Sequence, residues 1–280
     1  MHFTRSVRLL FGSLTWLVLA FLYIPLLVVA VLSFNTVASL SWPPKGFTLH
    51  WWRLAAHSSG ARDALIVSLK TAVGATAIAL VLGLLAALAI HRFRFFGRES
   101  LNLMIVLPIA LPGIVTGIAL NAAFRQVGFA FGYLTLIIAH ATFCIVVLYN
   151  NAVARMRRVS GSLDEASMDL GADAWQTFRF VTFPQLRSAL LAGALLAFAL
   201  SFDEVVVTIF TSGAQQTLPI WIFTNFARPR ELPVVNVVAL FVIVASIIPV
   251  WIAQRVAGGT GLTSERRTRG AVAATVEAEP

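Results

Sequence analysis

Cysteine is nearly absent. Cys144 stands alone inside an apolar run, which excludes an intrachain disulfide, leaves the redox compartment open and marks the thiol as a packing group. Lysine is almost as scarce: Lys45 follows a proline and Lys70 a leucine, so neither completes the Gly-Lys-Ser/Thr with which a P-loop holds phosphate. The HExxH, GxSxG and cysteine-rich metal patterns are missing as well, and with them any expectation of enzymatic chemistry or of a bound metal. No internal repeat of about 20 to 50 residues is visible, nor the inverted halves of many secondary transporters. Charge is thin throughout. Of the 280 residues 12% are charged and 59% hydrophobic, a surface that water cannot solvate.

What is present is a series of apolar runs near the ~20 residues that a helix needs to cross ~30 Å of hydrocarbon. They fall at 14–34, 64–90, 101–124, 129–149, 188–210 and 234–252. The expected fold is therefore all-α, a polytopic membrane protein with six transmembrane helices filling residues 1–256. The first run is too long for a signal-peptide core and lacks a small-residue cleavage site, so it reads as an uncleaved span. Pro25, Pro108, Pro112 and Pro249 fall inside these runs, where neighbouring helices can satisfy the freed carbonyls. Gly74, Gly83, Gly113 and Gly117 permit close helix approach. Residues 257–280, without apolar periodicity, read as a disordered cytoplasmic tail.

The 21 Lys and Arg exceed the 12 Asp and Glu, yet they sit between apolar runs and form no stripe with interleaved aromatics, so nucleic acid is not an expected partner. Topology accounts for the excess. With both termini in the cytoplasm, fourteen basic residues lie on the inner side and seven on the outer, the asymmetry that cytoplasmic loops show.

The connection at about 155–186 is too long for a plain loop and carries helix punctuation. Ser162 with Glu165 has the form of a capping box, and Asp164 and Glu165 suit the positive end of a helix dipole. Gly171 can close that helix in the left-handed conformation; Asp173 with Gln176 can cap a second, which Pro184 is expected to end. Leu163, Ala166 and Leu170 form one apolar stripe and Trp175, Phe178 and Val181 another. Either these faces pack on the protein's own spans or they form a docking surface for a cytoplasmic protein.

The run Glu165-Ala166-Ser167, then Gly171, then Val181, Phe183 and Pro184 resembles the EAA loop of ABC importer permeases, with every spacing matched and three conservative departures, Ser167, Val181 and Phe183. The resemblance implies a type I importer permease whose loop is a coupling helix seated in a cleft of a separate ATPase. Glu165, Ala166, Ser167, Leu170, Gly171, Phe178 and Pro184 would then transmit the closure that ATP drives. ATP and Mg would be bound by that ATPase, and this chain would hold no cofactor.

Two carboxylates, Asp203 and Glu204, lie within the fifth run, roughly 24 to 26 Å along the helix from Arg187. Ionised groups at that depth are costly unless paired or hydrated, which makes them candidates for a cation path. Lys70, at similar depth, offers a structural ion pair with one of them. Trp221, in what reads as an outer loop, can add an aromatic face. His140 reads either as a proton relay or as a hydrogen-bonded packing group.

The segment from Pro184 through Ser201-Phe202-Asp203-Glu204 to Phe210, with Thr217-Leu218-Pro219, resembles the second permease subunit of spermidine/putrescine importers. So do Pro25-Leu26-Leu27, Ser33-Phe34-Asn35, Gly46-Phe47 with Trp51, and Ala139-His140 with Thr142-Phe143-Cys144. This resemblance implies a bacterial inner-membrane heterodimer with a second permease, two ATPase subunits inside and a solute-binding protein outside, surrounded by lipid and carrying a small cationic solute by alternating access. Other importer solutes, such as an opine, an organic amine or an iron complex, stay open, as does a proton-coupled secondary transporter using Asp203, Glu204 and His140.

Overall fold

The computed structural model describes residues 5–38, 42–159, 161–228 and 231–258, so the tail expectation lies, from residue 259 onward, outside the described residues. Twelve α-helices and one isolated bridge, Asn35 with Phe47, make up the regular structure among the described residues. The chain divides into two compact units, residues 1–63 with 220–245 and residues 64–219 with 246–280.

In the first unit, α1 (Arg5–Leu32) exposes apolar side chains all round, as a helix solvated by lipid does. The short α2 (His50–His57) follows it, and Trp51 Nε1 donates to the Asn35 carbonyl at 2.7 Å. Trp221 lies on α11 (Leu218–Phe226), a helix where the sequence reads as a loop, and is buried with Nε1 against Gly60.

In the second unit α6 (Tyr133–Met156) is the central helix, buried along much of its length. α3 (Ser59–Arg92) runs parallel to it. Gly74 meets Ile137, and Gly83 meets Ile145 and Leu148, so the missing side chains let the two backbones approach. α9 (Phe183–Asp203) runs antiparallel on another side, with Gly193 against Leu148 and Asn151 and the Cys144 thiol against the Ala197 carbonyl. Cys144 is indeed a buried packing group.

Among the described residues, four helices are long and apolar enough to cross a membrane: 7–32, 59–92, 133–156 and 174–203. The expected third span is a broken pair instead, α4 (Arg98–Ala110) and α5 (Gly113–Val127), bent by 108°. Pro112 causes the break: it lacks an N–H and pushes Leu111 out of the helical region to ψ 146°. The pair still makes one crossing. It begins beside the last turns of α6, where the Tyr149 hydroxyl donates to Asn102, and ends beside the first, where Phe124 packs edge-on against Phe131. A single crossing there is also what the parallel course of α3 and α6 requires. With the apolar α12 (Leu232–Gly258), six crossings remain compatible with these helices.

The expected fifth span at 188–210 is also broken. α9 stops at Asp203, Glu204 is extended (φ −72°, ψ 120°), and the separate α10 (Val206–Thr211) completes the run. Three successive valines, Val205 to Val207, disfavour helix at this point. Conversely, Pro184 does not end a helix. The one-turn α8 (Ala174–Thr177) passes through a π turn at Phe178–Thr182 directly into α9. The Phe183 N–H reaches the Phe178 carbonyl five residues back, and the wider turn accommodates the ring and missing N–H of Pro184.

Candidate translocation and coupling sites

The two broken spans meet. Gly113, first residue of α5, faces Val206, first residue of α10, and one turn later Gly117 faces Phe210. The half-helices therefore run side by side in the same direction from their breaks. Contact at Gly117 is close enough that an added Cβ would lie 2.6 Å from the Phe210 ring, so only glycine fits without a shift. The Asn121 amide donates to the Phe210 carbonyl, an acceptor left free near the end of α10.

Side chains replace the backbone bonds lost at the second break. Glu204 Oε1 accepts the Val207 N–H at 2.9 Å, and the Glu204 carbonyl accepts the Thr208 hydroxyl at 2.7 Å. His140, fully buried on α6, reaches both sides: Nδ1 lies 2.8 Å from Ser201 Oγ on α9 and Nε2 2.9 Å from Thr208 Oγ1 on α10. Since Thr208 spends its proton on the Glu204 carbonyl, it must accept from Nε2, and the chain runs Nε2–H to Thr208 to Glu204. The ring touches neutral hydroxyls and no carboxylate, the arrangement of a packing histidine and not of a relay to Asp203 or Glu204.

Asp203 is exposed and Glu204 half-buried, with Leu200, Val206 and Ile209 exposed around them. Lys70 is not their partner. Its ammonium lies over the Tyr133 ring, 5.7 Å from the centroid, and the one ion pair among the described residues is elsewhere. Trp221 belongs to the other compact unit.

At the opposite end of α9, α7 (Ser162–Asp169) forms where the punctuation places it, with the cap one residue earlier than read. Gly161 is the cap, its carbonyl receiving the Glu165 N–H at 3.3 Å, and Ser162 is the first helical residue. Gly171 adopts the left-handed conformation, φ +88°, and the Asp173–Gln176 box is complete, with reciprocal bonds of 2.8 and 2.9 Å. Ser167 meets Thr177 hydroxyl to hydroxyl at 3.2 Å. Glu165, Ala166 and Gly171 are exposed, Leu170 is 89% exposed, and Leu163 and Trp175 are exposed too. The alternative in which both stripes pack on the protein's own spans fails for these side chains. Phe178 is half-buried between the rings of Trp175 and Phe183. Pro184 sits in the first turn of α9.

Two sets of contacts were not foreseeable from pattern. One is the helix pairing through Gly113 and Gly117, flagged by the glycines but not by any sign of their partners. The other joins Arg92, Asp164 and Thr182: Arg92 Nη2 pairs with Asp164 and donates to Thr182 Oγ1 at 2.7 Å, and Thr182 donates to Asp164 at 3.0 Å. Nothing local in sequence links residues 72 positions apart.

Residues 79–260 match the family described as binding-protein-dependent transport system inner membrane component. The chain is 33% identical over 245 residues to the spermidine/putrescine transport system permease protein PotC of Haemophilus influenzae, covering 87% of this chain and 94% of that protein. It is also 33% identical over 248 residues to the putrescine transport system permease protein PotI of Escherichia coli K12, covering 85% of each. The fold is shared with a subunit in the crystal structure of a bacterial ABC transporter involved in the import of the acidic polysaccharide alginate, at a TM-score of 0.70, 18% identity and coverage of 91% of this chain and 99% of that one. The chain belongs to the binding-protein-dependent transport system inner membrane components, the transmembrane permease subunits of ABC importers.

Proposed function

We propose that this permease carries polyamines such as putrescine and spermidine into the cell, and that the cation passes the break in the fifth span. The observation that carries this reading is Asp203: an exposed carboxylate at the broken end of a membrane helix, amid exposed apolar side chains and without an ion-pair partner among the described residues. Facing lipid it would be costly, so it faces a hydrated path or a partner subunit. Glu204 supplies a second charge beside it, and a diamine has charges to match. Trp221, suggested by its aromatic face, is buried in the other compact unit, and the proposed path does not depend on it. The substrates in the names of PotC and PotI support the choice of solute.

The working complex in this reading contains a second permease, two ATPase subunits that bind ATP and Mg, and an extracytoplasmic solute-binding protein. Both termini are cytoplasmic, and the exposed loop bearing Glu165, Ala166, Ser167, Leu170 and Gly171 docks on the ATPase, with Phe178 and Pro184 joining it to α9. A docked helix that moves as a rigid body with its ATPase can pull the spans between inward- and outward-open states.

Competition of labelled putrescine uptake tests the solute. In cells expressing the chain with its transporter partners, excess spermidine is expected to abolish uptake, whereas an opine or a ferric chelate leaves it intact. Uptake of one of the latter without any of putrescine would replace the proposed solute.

A further inference from the structure

The loop that carries the exposed docking face has little apolar packing of its own: Leu163, Met168, Leu170 and Trp175 are all exposed, Trp175 touching Phe178 within the same loop. What holds α7 is polar. We infer that Arg92 is a positioning residue for coupling, tying α7 to the cytoplasmic end of α3 so that the loop drives two spans and not one. The inference rests on the reading of this loop as the ATPase dock.

Three facts carry it. Arg92 is the last residue of α3, Asp164 lies in the first turn of α7, and Thr182 closes the π turn that leads into α9. Each of the three contacts both others, so a displacement of α7 cannot preserve the set unless α3 and α9 follow. The Thr182 hydroxyl is buried at the centre, accepting from Arg92 and giving its one proton to the charged Asp164 at 3.0 Å in preference to the Thr177 carbonyl at 3.4 Å. Covalent continuity already links α7 to α9 through the π turn. The Arg92 guanidinium brings in α3, the helix that packs parallel to the central α6. Because the pair is partly exposed, its role is geometric more than stabilising.

The test uses the complete transporter in proteoliposomes, with spin labels on cysteines introduced at Arg94 and Met168 in a Cys144→Ser background. With Arg92 present, the distance between labels is expected to be single and narrow and to stay so when nucleotide and vanadate close the ATPase, because the two elements move together. Arg92→Ala should broaden it and lower putrescine uptake per ATP hydrolysed at least fivefold with the ATPase still bound. Arg92→Glu combined with Asp164→Arg should restore both the narrow distance and the uptake, which a merely structural role at either site would not. An Arg92→Ala complex that keeps the narrow distance through closure, or that imports with undiminished yield per ATP, overturns the inference. The docking reading fails by a different sign: an ATPase that remains bound and coupled to a Leu170→Asp permease.

Discussion

His140→Leu isolates the contact that bridges the fifth-span break. The substitution nearly conserves volume and removes both interhelical hydrogen bonds, from Ser201 at 2.8 Å and to Thr208 at 2.9 Å. Hydrogen bonds between membrane helices average about 0.6 kcal/mol and reach about 1.7, so the loss of two is about 1–2 kcal/mol. At roughly 2–4 °C per kcal/mol for a chain of this class, the thermal midpoint of the purified complex should fall by about 2–8 °C. Thr208→Val removes the same Nε2 bond together with the one to the Glu204 carbonyl, and its cost is of similar size, about 1–2 kcal/mol. The double variant counts the shared bond once and should fall short of the sum by about 0.6 kcal/mol or more. The assay is tryptophan-fluorescence melting in one detergent at fixed concentration, read as a double-mutant cycle. Strict additivity would refute the claim that His140 acts through Thr208, and an unchanged midpoint in His140→Leu would refute the bridge.

Two glycines with positive φ should respond in opposite ways. At Gly213, φ +60°, a Cβ would lie 2.8 Å from the Phe131 Cβ and carbonyl oxygen, so Gly213→Ala is expected to cost about 2–3 kcal/mol and to reduce the yield of folded complex. Gly171, φ +88°, has open space around its Cβ position, so Gly171→Val should leave the folded complex in place and lower uptake per ATP, as measured by parallel phosphate release and solute counting. Leu170→Asp places a charge on the most exposed apolar residue of the loop and should release the ATPase during affinity purification of the permease.

The apolar runs were legible because only hydrocarbon suits them, and the helix-turn-helix form of the loop at 155–186 because Gly171 and the Asp173–Gln176 box are local chemistry read correctly from spacing. The breaks were not. Proline and successive valines occur in unbroken spans as well, and what decides the outcome here is tertiary: Pro112 finds α10 beside it, and the valines find Glu204, Thr208 and His140 to rebond the chain. The π turn before Pro184 escaped for the same reason, since its gain lies in keeping α8 continuous with α9. The Lys70 pairing rested on matched depth alone, and depth does not fix azimuth: the ammonium faces Tyr133. Arg92 read as one more inner-side charge because its partners come from a distant loop.

The most direct test of the central claim is ATP-driven uptake of labelled putrescine in proteoliposomes holding the full transporter, comparing the intact chain with Glu204→Gln and Asp203→Asn. Glutamine keeps an oxygen to accept the Val207 N–H, so the first variant removes charge and preserves the cap of α10. The account predicts that both variants retain the ATPase and lose most uptake. Full uptake by either variant, or accumulation that proceeds on a proton gradient without ATP, would contradict it.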